Sequence, residues 1–137
     1  MYILDTDTFT LFNYGHPKIR EQTARKGPFV ISIITKIEIV RDRFDFLLKA
    51  SSKAEWLKAQ SLLDEWEAKI AATVVAGVNE EAGDEFERLS KIKSLRKIGR
   101  ADLLIACITL ARAGTLVTRN VRDFKLVPGV KYENWAD

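Results

Sequence analysis

Short runs rich in β-branched and aromatic residues alternate with longer stretches of helical periodicity along the chain, and few folds accommodate that alternation. The runs are Tyr2-Ile3-Leu4, Phe29-Val30-Ile31-Ser32, Thr73-Val74-Val75-Ala76 and Thr115-Leu116-Val117-Thr118, with Val130-Lys131-Tyr132 as a short fifth. Between the first two lies a helical segment from about Thr8 to Ala24. Gly15-His16-Pro17 breaks it in two and Gly27-Pro28 ends it, because Gly and Pro punctuate helices. Residues 36–69 read as a pair of helices turning near Ala50-Ser51-Ser52, with Trp56, Ala59, Leu63 and Trp66 recurring at helical spacing in the second. Ser32 or Thr35 supplies the cap of the first, which carries Glu38. A polar helix from Asn79 to about Leu95 and a very apolar one from Gly99-Arg100-Ala101 to near Gly114 complete the pattern. Strands and helices in this order specify an α/β fold around a mainly parallel sheet of four or five strands.

At 137 residues the chain fits one domain of common size, and 47% hydrophobic with 30% charged residues is ordinary for a globular protein. The net charge of +3, from 22 basic and 19 acidic residues, is too balanced to name a partner, but its distribution is uneven. Residues 88–100 read RLSKIKSLRKIGR, holding Arg88, Lys91, Lys93, Arg96, Lys97 and Arg100 without an acid. A single cysteine, Cys107, allows no intrachain disulfide and excludes Cys-rich zinc sites; on an apolar helix it reads as a core residue. The opening Met1-Tyr2-Ile3-Leu4-Asp5 does not read as a secretory signal. The longest apolar run, from Leu103 to Ala111, is far shorter than the roughly 20 residues that span a bilayer. A cytoplasmic protein with no membrane segment is expected.

Four acids stand where hydrophobic segments begin or end: Asp5 after β-run one, Glu38 about a turn into the helix after run two, Asp102 at the start of the apolar helix, and Asp123 just past run four. Ionised groups are expensive to desolvate without positive compensation, so acids in such places point to a shared cation. In open parallel sheets, functional groups gather beyond the carboxyl ends of the strands, where these four can meet. With one His and one Cys in the chain, oxygen ligation of a hard cation such as Mg²⁺ or Mn²⁺ is the one rich option. Such a site suits hydrolysis of a phosphodiester. Thr6, Asp7, Thr118 and Asn120 stand where they can orient waters or the carboxylates. Each Asp alone reads equally well as a cap or turn former, Glu38 alone as a solvated helix residue, and Asp7 as the N-cap of the helix after run one. His16 reads as a surface residue. The 88–100 stretch is either a solvated face or, beside a nucleic-acid site, a phosphate-binding surface. Arg119 and Arg122 are sharper phosphate-binding candidates than Arg96, Lys97 and Arg100, because they bracket Asn120 in the loop of Asp123.

Four motifs in order, Tyr2-Ile3-Leu4-Asp5-Thr6-Asp7, Ser32 to Glu38 with the Glu three residues after Thr35, Gly99 to Ala106, and Thr118 to Phe124, resemble those of the PIN-domain family, and within it the VapC-type toxins of toxin–antitoxin pairs. Many relatives carry Asn where this chain has Asp7. The resemblance implies a single three-layer α/β/α domain over residues 1–137. It implies an endoribonuclease dependent on Mg²⁺ or Mn²⁺ whose catalytic and metal-holding acids are Asp5, Glu38, Asp102 and Asp123, cutting RNA and so blocking translation. Homodimerisation is implied, and so is a small VapB-type antitoxin docking largely on the helices around residues 36–69. Two other readings compete. A receiver-like phosphoacceptor domain requires an Asp ending strand three, where this chain has Val74-Val75-Ala76-Gly77. A non-catalytic RNA-binding module would use the basic stretch and keep the acids as caps.

Overall fold

Five strands, Tyr2–Leu4 (β1), Phe29–Ser32 (β2), Val74–Ala76 (β3), Thr115–Val117 (β4) and Lys131–Glu133 (β5), form one sheet in the order β3-β2-β1-β4-β5 in a computed structural model describing residues 1–137. Every pairing is parallel, with Leu4 opposite Ile31 on one side and Val117 on the other. Side chains alternate across the sheet, as a two-residue period requires. Ile3 and Leu116 enter one buried cluster, while Leu4, Ile31 and Val117 enter another. Both faces are therefore covered, which is how parallel sheets are stabilised.

The helices divide between these faces. Thr6–Asn13 (α1), Pro17–Lys26 (α2), Ile33–Leu48 (α3) and Lys53–Ala71 (α4) deliver Phe9, Ile19, Ile39 and Trp66 to the cluster beneath Leu4 and Val117. Glu80–Ser90 (α5), Arg100–Ala111 (α6) and the short Val121–Phe124 (α7) deliver Leu89, Leu103, Ile105 and Phe124 to the other. The result is a three-layer α/β/α sandwich. The chain steps outward from β1 to β2 and β3, then returns to lay β4 on the far side of β1, so the strand order reverses between β1 and β4. That order also differs from the 2-1-3-4-5 order of a receiver domain. No helix is long and apolar enough to cross a membrane.

Several local expectations are corrected. Asp5, not Asp7, is the N-cap of α1, its carboxylate accepting from the Thr8 amide, and the helix starts at Thr6. Asp7 is an exposed residue of the first turn. His16 is half-buried rather than on the surface, capping α2 through Nδ1 at 3.4 Å from the Ile19 amide. Ser32 is the side chain that caps α3. The segment from Asn79 to Leu95 is not one helix: α5 ends at Ser90, and Lys93–Lys97 form a separate 3-10 turn that buries Leu95. The loop of Asp123 contains α7.

The tryptophan stripe of α4 also divides. Trp66 is 1% exposed, packed edge-on by Phe9 and Tyr14, with the charged ends of Arg43 and Lys69 over its ring, whereas Trp56 is 62% exposed. A helix of 19 residues is roughly 28 Å long, against roughly 10–13 Å for strands of three or four residues. The first half of α4 therefore runs beyond the sheet, and α3 is the chief support of the helix. In urea unfolding, Trp66→Ala is expected to cost about 3–5 kcal/mol at unchanged m-value. Trp56→Ala should stay within about 0.5 kcal/mol, and comparable losses at both positions would contradict this packing.

Candidate active site

The reversal of strand order between β1 and β4 opens a crevice at the carboxyl ends of those strands, and Asp5 stands in it. Its amide bonds the Val117 carbonyl at 3.0 Å, carrying the β1–β4 ladder one residue past Leu4 before α1 begins. The side chain is only 8% exposed. One oxygen accepts from the Thr8 amide at 2.9 Å as the helix cap, and the other from the Thr118 hydroxyl at 2.6 Å. Burial pushes the Asp5 carboxyl above the ordinary range, although the Thr118 hydroxyl and Thr8 amide bonds pull it back and the neighbouring Asp7 charge adds to the rise.

Thr118 and Asn120 join Asp5 to two further acids. The buried Thr118 hydroxyl donates to Asp5 and accepts from the Asn120 amide N–H at 2.9 Å. The Asn120 side-chain amide then donates to Asp102 at 3.1 Å and to Asp123 at 3.0 Å. Its two hydrogens thus serve one carboxylate each. Asp102 lies in the first turn of α6, where the aligned backbone dipoles favour negative charge. Its carboxyl nonetheless sits above the ordinary range: burial raises it most, the Asn120 bond opposes that, and the charges of Asp5, Glu38 and Asp123 raise it further.

Glu38 is held by a second arm. The Thr6 hydroxyl lies 2.6 Å from Glu38 Oε1 and 3.0 Å from the hydroxyl of Thr35, which is fully buried. A threonine hydroxyl has one proton, and the carboxylate is the stronger acceptor, so Thr35 donates to Thr6 and Thr6 to Glu38. The sequence marks Thr35 only as an alternative cap. Its place three residues before Glu38, one helical turn away on the same face, is the signal that identifies it as a support.

Around this network stand the basic residues. Arg119 pairs loosely with Asp7 at 3.7 Å and with Asp137 at 3.9 Å, and the nearly free Arg122 side chain reaches Asp123 at 3.7 Å. Asp7 thus faces Arg119 and takes no part in the hydrogen-bonded network. Arg96, Lys97 and Arg100 are placed along the 3-10 turn and the start of α6. No three acidic, His or Cys side chains stand together as a ready-made metal cage. The four carboxylates are instead spaced by hydroxyl, amide and backbone N–H donors, none of which carries charge.

A three-layer α/β/α sandwich around this all-parallel five-stranded sheet is a PIN-like fold. No family model matches the chain. It is 27% identical to the Ribonuclease VapC1 of Haemophilus influenzae, over 99% of this chain and 98% of that protein. The structure of VapBC-1 from nontypeable Haemophilus influenzae superposes with a TM-score of 0.80 at 23% identity, covering 99% of this chain and 98% of that one. DNA-bound VapBC from Salmonella typhimurium does so with a TM-score of 0.77 at 26% identity, covering 98% and 97%. The fold is PIN-like, and over nearly its whole length the chain is similar to VapC-type ribonucleases.

The raised carboxyls have a measurable consequence in metal-free protein. A group whose folded pKa exceeds its unfolded value, about 3.9 for Asp, contributes stability that is present below that value and lost as pH rises through the folded one. Asp102→Asn is therefore expected to raise the Tm at pH 7 in chelator. The advantage over wild type should shrink as pH falls below about 4. A lower Tm at pH 7 would show that the hydrogen bond from Asn120 outweighs burial and repulsion at Asp102.

Proposed function

We propose that the chain is a metal-dependent endoribonuclease, the toxin of a toxin–antitoxin pair, acting in the cytoplasm through one PIN domain spanning residues 1–137. The observation that carries this reading is the gathering of acids at Asp102, whose carboxyl is raised by burial and further by the charges of Asp5, Glu38 and Asp123, and is tied to Asp123 through the Asn120 amide. A divalent cation relieves that repulsion. The donor set suits Mg²⁺ or Mn²⁺, since all four acids offer hard oxygen ligands. Mg²⁺ characteristically keeps most of its waters and takes only one or two carboxylates, so it needs no preformed cage.

In this reading Asp5 and Asp102 hold the ion directly, and Glu38 and Asp123 complete the site directly or through water. The chemistry such a cation supplies is ionisation of water near neutral pH and neutralisation of charge on a phosphoryl oxygen. The protein's own contribution is positioning. Thr118 and the Thr8 amide fix both oxygens of Asp5, Asn120 fixes Asp102 and Asp123 together, and Thr6 fixes Glu38. Arg119 and Arg122 stand beside the acids to take flanking phosphates, with Arg96, Lys97 and Arg100 extending the basic surface. Arg119 exchanges Asp7 and Asp137 for a phosphate at little cost, because loose, exposed ion pairs contribute little.

Two protein partners belong to this reading. One is a second copy of the chain. The other is a VapB-type antitoxin, and its docking surface is the α3–α4 hairpin, where Phe44, Phe46, Leu48, Trp56 and Leu57 are exposed beyond the end of the sheet. The similar structures from Haemophilus and Salmonella are themselves described as VapBC, which supports a partner of that kind.

Asp5→Asn is expected to lower RNA cleavage by roughly a hundredfold or more with the fold retained, and Thr118→Val by roughly 10–100-fold, because removing the group that orients a ligand costs about that much. Both are read from single-turnover cleavage with added Mg²⁺ or Mn²⁺. Unchanged chelator-sensitive cleavage in Asp5→Asn would refute the assignment. RNA binding indifferent to metal, without cleavage, would favour the binding-module reading. Trp56→Asp should weaken binding of a cognate VapB-type antitoxin about tenfold or more, with cleavage unaltered. Equal affinity would move the docking surface elsewhere.

A further inference from the structure

Beside the acidic centre lies a groove that these roles leave unused. The end of α5, the 3-10 turn and the start of α6 enclose a half-open cavity of about 370 Å³, floored by Leu89, Leu95 and Leu103 and rimmed by Ser90, Arg96 and Arg100. Its volume falls within the range of ligand-sized sites, about 300–1,000 Å³. The three leucines belong to the main buried cluster, so the floor is fixed by core packing. Arg100 lies with its guanidinium 5.3 Å from the Phe86 ring centroid, within cation–π range. None of Lys93, Arg96, Lys97 and Arg100 is paired with an acid. Arg100 and Leu103 of the lining stand two residues before and one after Asp102 in α6, which puts the groove within one helical turn of that acid.

We propose that this groove is a nucleobase subsite, which takes the unpaired base of a nucleotide flanking the scissile phosphate. The inference rests on the reading of the chain as an RNA-cutting enzyme and gives that site a specificity element. A nucleotide joins a flat, largely apolar base to a charged phosphate, and the groove joins an apolar floor to the unpaired cations Arg96 and Arg100 at its rim, with Lys93 and Lys97 on the adjoining turn. Guanidinium planes and apolar surfaces are the platforms on which unstacked bases settle. The Ser90 hydroxyl donates to the Glu87 carbonyl at 3.2 Å, which leaves its lone pairs at the rim to accept from an exocyclic amino group. An apolar side chain of a protein partner would use the floor but leave the cations unmatched.

Binding measured in chelator tests this without cleavage. Labelled hexaribonucleotides of A, C and U are compared with an abasic ribose-phosphate hexamer of the same charge, using wild type, Ser90→Phe and Arg96→Gln. Shifts of the Leu89, Leu95 and Leu103 methyl resonances are followed in wild type. At least one base-bearing hexamer should bind wild type about tenfold tighter than the abasic chain and shift those methyls. Ser90→Phe, which fills the groove, should remove that gain and leave abasic binding unaltered, while Arg96→Gln weakens every hexamer. Equal wild-type affinity for base-bearing and abasic chains would overturn the proposal. So would methyl shifts produced only by a tryptophan-bearing acidic peptide, which would give the groove to a protein partner. A protein that cuts no RNA with either metal yet shows the base-dependent gain would overturn the nuclease reading and leave the groove standing.

Discussion

Four carboxylates brought to one crevice, with Asp5 buried and Asp102 half-buried, and held by neutral donors are the constraint on which the site depends. A lone buried carboxylate can be protonated or paired, but four together need a scaffold that keeps them apart yet close. Thr118 and Asn120 supply it by chaining Asp5 to Asp102 and Asp123, and Thr6 with Thr35 restrains Glu38 from the other side. Each acid arrives on a different element, so the site exists only if the sheet order and the crossovers are right. The fold and the chemistry are coupled through these few hydrogen bonds.

Topology explains why the crevice lies there. A sheet that grows outward from β1 through β2 and β3, then resumes on the opposite side with β4, parts its connections above the β1–β4 boundary. Asp5 and Thr118 follow those two strands directly, while α6, on the return crossover, brings Asp102 in its first turn. Short strands matter too. With three or four residues each, they leave the long α3–α4 hairpin to overhang, setting its exposed apolar side chains apart from the acidic crevice.

Much of this was legible in the chain because the strongest signals are local. Strand runs bounded by Gly or by polar residues, and acids abutting apolar segments, announce themselves without tertiary knowledge. The division of labour among neighbours does not. Asp5 and Asp7 both suit an N-cap, and only the extension of the β1–β4 ladder through the Asp5 amide decides between them. Trp56 and Trp66 share one helical period, but that period carries no information about where the helix outruns the sheet. The break after Ser90 lacks any Gly or Pro; burial of Leu95 and Ile98 in the core turns the chain there. The bridging amide of Asn120 depends on the path of a loop, which has no periodicity to read.

The lone Cys107 offers a different use of the fold. Its thiol is buried in the middle of α6, and burial pushes its pKa up to about 11, so the native protein presents almost no thiolate. It lines a small apolar pocket with Val78, Phe86 and Leu104, so the thiol meets reagents protonated and nearly covered. Slow labelling of Cys107 is therefore expected of the folded chain. A cysteine introduced on the surface would be the sole reactive thiol of the folded molecule, ready to carry a probe without removal of the native one.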